Sequence, residues 1–310
     1  MRSLLLVAVL AACFAPDSSA APDAKATPTP AKPKVSITFA EAQALFPMVK
    51  KACADIECLI TEAYRADPKA QTLALALYRD SGNVAGVGPE ELMDGGYRGK
   101  IQLVPELPIH NYRTHLQWVS DAMRATDAFF ARLFDKHPAP AYRWRDVQFR
   151  FVRSVGKRTP SAYALKWMVA YNVEGTLLTS AAGVFETIFH ELFHTNDHER
   201  GDWSAKHLQK DYDAIVAKCG TKMTCLRPFA PNTTIVLATG TYYAFQQNNG
   251  NGVHEYAAEL AVRYWREQNE MLTKGKLSAP AFKCGPPENA RSWKAFVDEF
   301  FAGRDLTPAC

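Results

Sequence analysis

Residues 189–194 read FHELFH and contain the pattern His-Glu-x-x-His. On an α-helix, residues four positions apart lie one turn above each other on the same face. His190 and His194 are therefore expected to point two imidazoles at one metal ion, with the Glu191 carboxylate beside them to hold a water molecule. The stretch predicts a helix with reactive groups on one face.

The residues around this pattern indicate an amphipathic helix. Ser180 offers an N-cap before it, and Gly201 offers a place for it to end. Apolar side chains recur at helical spacing behind the histidines, namely Phe185, Ile188, Phe189, Leu192 and Phe193. We expect the rest of the chain to fold around this helix.

The composition is that of a globular protein. The chain has 310 residues, of which 47% are hydrophobic and 22% charged, enough for a sizeable core in one or two domains. Its formal charge of +4 is spread along the sequence without a basic run. This pattern gives no reason to expect nucleic acid or a membrane surface as a partner.

The N-terminus has the features of an export signal at residues 1–20. Arg2 precedes an apolar run at residues 4–12 that is too short to be a permanent membrane anchor. Two processing sites remain open, because Leu-Ala-Ala-Cys ending at Cys13 resembles a bacterial lipobox and Ser-Ser-Ala at residues 18–20 suits ordinary cleavage. Either predicts an exported bacterial protein, a lipoprotein of the cell envelope or a secreted protein. Residues 21–35, rich in Pro and Ala, are expected to be a solvated tether.

The cysteines agree with export. If Cys13 is lipidated or removed, an even set of six remains, which in an exported protein indicates three disulfides. Fifteen pairings of six cysteines are possible. Proximity in sequence favours Cys53 with Cys58 and Cys219 with Cys225, which leaves Cys284 with Cys310.

The order of the elements predicts an α+β fold, with a small mixed sheet over the motif helix and a helical C-terminal half. Residues 36–95 are expected to form a mainly helical N-terminal segment, and residues 96–310 to form the domain that carries the motif. Apolar spacing predicts strands at 100–105 and 146–152, a strand or a hairpin around Glu174-Gly175 within 163–178, and helices at 111–134, at 203–218 and from 253. Residues 246–252 offer no side chains for a core and are expected to form a mobile loop.

A catalytic zinc ion binds three protein ligands and keeps one position open for water. His198 lies one turn beyond His194, but three histidines in line on one straight helix cannot all close around a tetrahedral ion, so a surface or capping role is expected for it. The metzincin pattern needs a Gly and a His where this chain has Asp197 and Arg200, which excludes that class.

A second helix, beginning near Val253, leaves Glu255 and Glu259 together on one face. The run Glu255-Tyr-Ala-Ala-Glu259 resembles the gluzincin metallopeptidases, the thermolysin-like and lethal-factor-like zincins, in which such a helix follows His-Glu-x-x-His. The resemblance covers roughly residues 100–268, and Ala-Glu-Leu-Ala-Val-Arg after Ala257 is similar to the lethal-factor-like branch. It implies a zincin-like fold, Glu255 as the third ligand of one zinc ion per chain, and Glu259 as a carboxylate that orients a ligating histidine.

The resemblance also implies an activity, that of a zinc metallopeptidase hydrolysing peptide bonds in a peptide or protein substrate, as an endopeptidase. Glu191 is expected to take a proton from the attacking water and to pass it to the leaving amine. Tyr243 is expected to stabilise the oxyanion, and the strand at residues 165–171 to line the cleft and pair with the substrate backbone. Nothing in the sequence indicates the oligomeric state.

Three alternatives remain open. The chain could be a non-catalytic zincin-like protein that binds zinc or peptide in the envelope, although such a protein would lack the base that Glu191 provides. An aspartate, Asp197, Asp202 or Asp211, could replace Glu255 as a ligand, but the companion Gly-Thr-x-x-Asp element is broken after Thr241. A structural zinc site would need thiolate ligands, which the disulfides are expected to consume.

Overall fold

The computed structural model describes residues 37–95, 99–233, 235–236, 240–246 and 251–310. The predicted export signal with Cys13, the tether and positions 247–250 of the predicted loop lie outside these residues. The described residues belong to one compact unit. Within the described ranges, no helix is both long enough and apolar enough to cross a membrane.

Helices make up the larger part of the described chain and dominate its C-terminal half. They are α1 (Phe39–Ala44), α2 (Ile56–Ala63), α3 (Pro68–Ser81), α4 (Arg113–Leu133), α5 (Ala181–Glu199), α6 (Trp203–His207), α7 (Gln209–Cys219), α8 (Met223–Leu226), α9 (Gly252–Lys274) and α10 (Pro287–Phe301). The motif helix is α5, and the predicted second glutamate helix is α9. The helices predicted at 111–134 and from 253 are confirmed as α4 and α9.

A mixed sheet holds six strands, and two further short strands pair by themselves. The strands are β1 (Val84–Gly86), β2 (Glu91–Asp94), β3 (Lys100–Pro105), β4 (Gln148–Ser154), β5 (Ala162–Leu165), β6 (Met168–Asn172), β7 (Ile235–Val236) and β8 (Thr241–Tyr242). The order is β2-β3-β4-β6-β5, and β1 also pairs with β4. Because β1 and β6 run parallel to β4 while the other pairs are antiparallel, the α+β class with a mixed sheet is confirmed.

Strand β4 is covered on both faces. Phe149 and Phe151 on one face join the main core with α4 and α5, whereas Val152 on the other packs with Ile101 and Leu103 in a small second cluster. Two-sided burial follows from the alternation of side chains along a strand. The sheet thus has helices on the face of Phe149 and Phe151, and the β2–β3 hairpin continues the sheet beside β4.

Strands from both sides of residue 96 belong to this sheet. In the N-terminal segment, β1 pairs with Gln148–Arg150 of β4 and β2 forms a hairpin with β3. The strand predicted at 100–105 is confirmed as β3. The strand predicted at 146–152 is found two residues further on as β4, because Asp146 has a left-handed φ of 56° that ends the preceding loop.

Helix α5 is fixed at both ends and along its back. The Ser180 hydroxyl accepts from the Gly183 N–H as the predicted N-cap, and Gly201, with φ of 66°, follows the last turn. The Tyr142 hydroxyl donates to the Phe189 carbonyl at 3.0 Å, and the Asn196 amide exchanges hydrogen bonds with the Arg143 backbone. These contacts set the rotation of α5, and with it the direction of the histidines.

Two of the predicted elements, the hairpin within residues 163–178 and the helix at 203–218, differ in the structure. The hairpin within residues 163–178 turns at Lys166 rather than at Glu174-Gly175, because Lys166 adopts a left-handed φ of 52° and Trp167 donates to Glu199 at the end of α5. The helix predicted at 203–218 is two helices separated by the buried Leu208. The first difference comes from a contact with a distant element, which local periodicity does not report.

The pairing of the cysteines agrees with the arrangement favoured by sequence proximity. Disulfides join Cys53 to Cys58, Cys219 to Cys225 and Cys284 to Cys310. The first bridges the start of α2, the second closes the turn between α7 and α8, and the third ties down the C-terminus. Three disulfides are compatible with an exported protein.

Candidate metal centre

Helices α5 and α9 bring two histidines and a glutamate to one point. The Nε2 atoms of His190 and His194 lie 3.1 Å apart. The Glu255 Oε2 atom lies 3.2 Å from the first of these nitrogens and 3.7 Å from the second. One ligand atom from each residue falls within 4.8 Å of the others, so the group could hold a metal ion.

Glu259 supports this group from behind. Its Oε1 atom lies 3.2 Å from Nδ1 of His190, while its Oε2 atom is buried without a hydrogen-bond partner in the described chain. If Nδ1 carries the proton toward Glu259, Nε2 of His190 presents its lone pair to the other ligand atoms. In that state the carboxylate sets the tautomer as well as the ring orientation of His190.

The donor set fits a cation. Two imidazole nitrogens with lone pairs and a carboxylate oxygen converge within a few ångströms, and lone pairs repel one another unless a positive charge lies between them. Two histidines with a glutamate are one of the ligand sets that catalytic zinc sites use. The residues His190, His194 and Glu255 therefore match a divalent metal in number and in type.

The charges of the group are strongly coupled. Burial lowers the pKa of His190, but its hydrogen bonds to Glu255 and Glu259 raise that pKa well above the ordinary value. Burial raises the pKa of Glu255, and the two histidines outweigh this effect and hold the pKa well below its usual range. The surroundings thus keep Glu255 ionised and favour a positive charge next to its carboxylate, either a proton on His190 or a metal ion.

Glu191 is buried beside the ligands. Its side chain is only 7% exposed, and the Ala164 backbone N–H of strand β5 donates to its carboxylate. Burial raises the pKa of Glu191, partly opposed by His194 and His190. A carboxylate with a raised pKa next to a cation site is suited to take up a proton from water and release it again.

Tyr243 also lies next to the group of His190, His194 and Glu255. It begins the short 3-10 helix Tyr243–Phe245, and its ring meets that of His190 edge to face at 5.7 Å between centroids. The structure therefore brings Tyr243 together with His190, Glu191, His194 and Glu255, which sequence separation alone did not require.

The group opens into a cleft with a volume of about 930 Å³. One wall is β5 with the turn at Lys166, and the opposite wall comes from α9 and the Tyr243 segment. Of residues 165–171, which were expected to line the cleft, Leu165 and Lys166 do so, whereas the expectation is wrong for β6, which lies inside the sheet between β4 and β5. The edge strand next to the cleft is β5, which begins three residues before the expected segment, at Ala162.

The alternative ligands lie in other environments. His198 is exposed and pairs with Asp202 at 3.2 Å. Asp197 is buried and accepts hydrogen bonds from the Ser204 backbone N–H and hydroxyl, and Asp211 forms an ion pair with an arginine of α10. Among the described residues, the group of His190, His194 and Glu255 is the one arrangement with metal-site geometry.

Sequence patterns missed several residues of this cleft. Gln246 was expected in a mobile loop, yet it is 4% exposed and lines the cleft. Arg266 of α9 also lines the cleft, where its guanidinium donates to Glu186 of α5 and to the buried Asn232. The one sequence signal was the helical spacing that puts Arg266 seven residues after Glu259, on the same face of α9.

Comparisons of the chain with protein-family models, with curated proteins and with solved structures gave no match. The interpretation of the site therefore rests on its own geometry.

Proposed function

We propose that this protein is a zinc-dependent peptidase that acts outside the cytoplasm. The observation that carries the proposal is the convergence of His190, His194 and Glu255 at 3.1 to 3.7 Å, with the buried Glu191 next to them in an open cleft. A structural zinc site has four protein ligands and no access to substrate. The arrangement of three ligands at the floor of a cleft is typical of catalytic sites.

The chemistry divides between the metal and the chain. A bound zinc ion would supply Lewis acidity, which polarises a carbonyl group and makes water a better acid. Glu191 takes the proton of the attacking water and delivers it to the leaving amine, a role for which burial has raised its pKa. Glu259 holds the ring of His190 in place, and the Tyr243 hydroxyl donates to the developing oxyanion.

Strand β5 favours a peptide as the substrate. It pairs with β6 along one edge only, and its other edge faces the cleft. An edge strand binds an extended peptide, in the manner of an added strand, through the backbone N–H and C=O groups that no neighbour occupies. On β5 the Ala164 N–H already donates to Glu191, so the other backbone groups of this edge would serve. Leu165, exposed at the cleft, would contact an apolar side chain of such a peptide.

Export is part of the proposal. Three disulfides persist in oxidising compartments, and they agree with the export signal proposed from residues 1–20. A lipid on Cys13 would hold the protein at the cell envelope, and cleavage before residue 21 would release it. Metabolic labelling with a fatty acid, wild type beside Cys13→Ser, distinguishes these two forms.

The metal assignment is tested by elemental mass spectrometry of the purified chain. We expect one zinc per wild-type chain and a loss of most of it in Glu255→Ala. The matched control is Glu270→Ala, which changes a glutamate of the same helix that binds Lys274 and Ser278 instead. Equal zinc in all three proteins would reject Glu255 as a ligand.

The activity is tested with a broad peptide library. Wild type is expected to cleave peptide bonds, and Glu191→Gln to retain zinc and lose at least a thousandfold in rate, because the base is gone. Glu270→Gln, which changes a glutamate outside the cleft that contacts Lys274 and Ser278, serves as the control. A zinc-loaded wild type that cleaves no peptide would instead favour a non-catalytic peptide-binding protein.

A further inference from the structure

Gln246 lies in the wall of the cleft, and its buried side-chain nitrogen has no hydrogen-bond partner among the described residues. Its side chain is 4% exposed, and its Nε2 atom bonds to no group of the described chain. Leaving a buried N–H donor unpaired lowers stability, and native proteins rarely retain such a group without a reason.

The position of Gln246 is fixed by its neighbours. Its backbone N–H donates to the Tyr243 carbonyl at 3.1 Å and so closes the 3-10 turn. The preceding Phe245 is buried and stacks on Tyr212, with ring centroids 5.8 Å apart, and also contacts Tyr256 of α9. The turn that places Tyr243 against His190 therefore also places Gln246 in the wall of the cleft.

We propose that Gln246 binds the peptide substrate, its side-chain amide donating a hydrogen bond to a backbone carbonyl oxygen of the substrate. The inference rests on the proposed peptidase function and names a residue of that site. Because the Nε2 donor has no partner within the described residues, it can turn toward the cleft without breaking a bond to them, so the gain on binding is not offset by such a loss. The group that it recognises is the peptide backbone, which every substrate sequence shares.

A second buried glutamine provides a matched control. Gln268 is fully buried in α9, where its Nε2 donates to Asp305 and its Oε1 accepts from the Leu306 N–H. A structural glutamine satisfies its amide within the protein in this way. Gln246 differs in the one respect that matters for binding, because its donor is left for another molecule.

The test compares steady-state kinetics and unfolding of Gln246→Met and Gln268→Met, with zinc content measured for each. Methionine keeps the length of the side chain and removes the donor. We expect Gln246→Met to raise KM roughly tenfold with kcat changed little, equally for peptides of unrelated sequence. It should keep the zinc and the urea midpoint of wild type, whereas Gln268→Met should lower the midpoint and leave KM unchanged.

Gln246→Asn is the second variant, since it retains the donor on a shorter side chain and should recover part of the lost affinity. A KM within twofold of wild type in Gln246→Met would overturn the inference while the peptidase function stands. So would a lowered urea midpoint with unchanged kinetics, because the amide would then be structural. If wild type cleaves no peptide, the proposed function fails first, and this inference falls with it.

Discussion

Glu259 would act on a bound metal ion indirectly, through the imidazole of His190. It contacts Nδ1 of His190 at 3.2 Å and belongs to the same face of α9 as Glu255. Glu259→Gln is expected to weaken zinc affinity by about 10- to 100-fold, since carboxylates that orient a ligating imidazole contribute effects of this size. Competition with a chromophoric zinc chelator measures the change.

Glu270→Gln is the control for this measurement, because Glu270 lies on the same helix and contacts Lys274 and Ser278. Its zinc affinity should equal that of wild type. An unchanged affinity in Glu259→Gln would mean that packing alone orients His190.

Asp67, in the N-terminal segment, is a buried carboxylate that we expect to stabilise the fold. It caps α3 by accepting from the Ala70 N–H, and it also accepts from the His110 N–H and from the Arg113 guanidinium. Asp67→Asn should lower the free energy of unfolding at pH 7 by about 1–3 kcal/mol, because bonds to a charged group are replaced by weaker ones. Urea unfolding measures this difference, and Asp121→Asn on the exposed face of α4 should change it by less than about 0.5 kcal/mol.

The contribution of Asp67 should depend on pH in a defined direction. Burial raises its pKa, but the hydrogen bonds from His110 and Ala70 and the charge of Arg113 outweigh burial and lower the pKa below its ordinary value. A carboxylate with a lowered folded pKa stabilises the protein above its unfolded pKa of about 4 and loses this effect as the pH falls through the folded pKa. The difference between wild type and Asp67→Asn should therefore shrink below about pH 4, and a constant difference would contradict this reading.

At the scale of elements, the first turn of α5 depends on a glycine. A Cβ added at Gly183 would collide with the Leu177 carbonyl oxygen of the preceding loop. Alanine is normally the better helix former by about 1 kcal/mol, but here overpacking should reverse the sign and cost about 1–3 kcal/mol. Chemical denaturation of Gly183→Ala tests this, beside Ala182→Gly at the exposed neighbouring position, which should cost about 0.5–1 kcal/mol. A stabilised Gly183→Ala would show that the loop moves freely.

The elements differ in how far local pattern predicted them. The strand at Lys100–Pro105 and the helices α4, α5 and α9 follow from apolar spacing, since each has one buried face along its length. The turn at Lys166 does not, because Trp167 is held by Glu199 and by the Arg143 guanidinium 3.9 Å from its ring centroid. That turn places β5 at the edge of the cleft, so a distant contact determined an element of the site.

At the scale of the molecule, the Cys284–Cys310 disulfide joins the last residue to the start of α10. It spans 26 residues, compared with 5 for Cys53–Cys58. In the loop-entropy model, these separations correspond to roughly 3.5 and roughly 2 kcal/mol of stabilisation. Replacing Cys284 and Cys310 by serine should therefore lower the free energy of unfolding more than replacing Cys53 and Cys58. Urea denaturation of the two double variants gives the comparison, and equal losses would contradict the entropic account.

The sequence by itself determined the motif helix, its cap at Ser180, the α+β class and the arrangement of the cysteines. The motif helix, its cap and the two short-range disulfides are local properties, whereas Cys284 and Cys310 were paired as the two cysteines that remained. His190 and His194 share a face because the helix repeats every 3.6 residues, and neighbouring cysteines pair because short loops bring them together. Glu255 and Glu259 also share a face for this reason, and a resemblance to a family connected them with the histidines.

Only the tertiary structure decided which groups meet across the cleft. The 3.2 Å approach of Glu255 to His190 depends on the packing of α5 against α9, which no spacing in the sequence specifies. The parallel pairing of β1 with β4, the donation of Ala164 to Glu191 and the burial of Gln246 likewise join residues far apart in the chain. Local periodicity reports which face of an element is buried, whereas the partner of that face is set by packing of the whole chain.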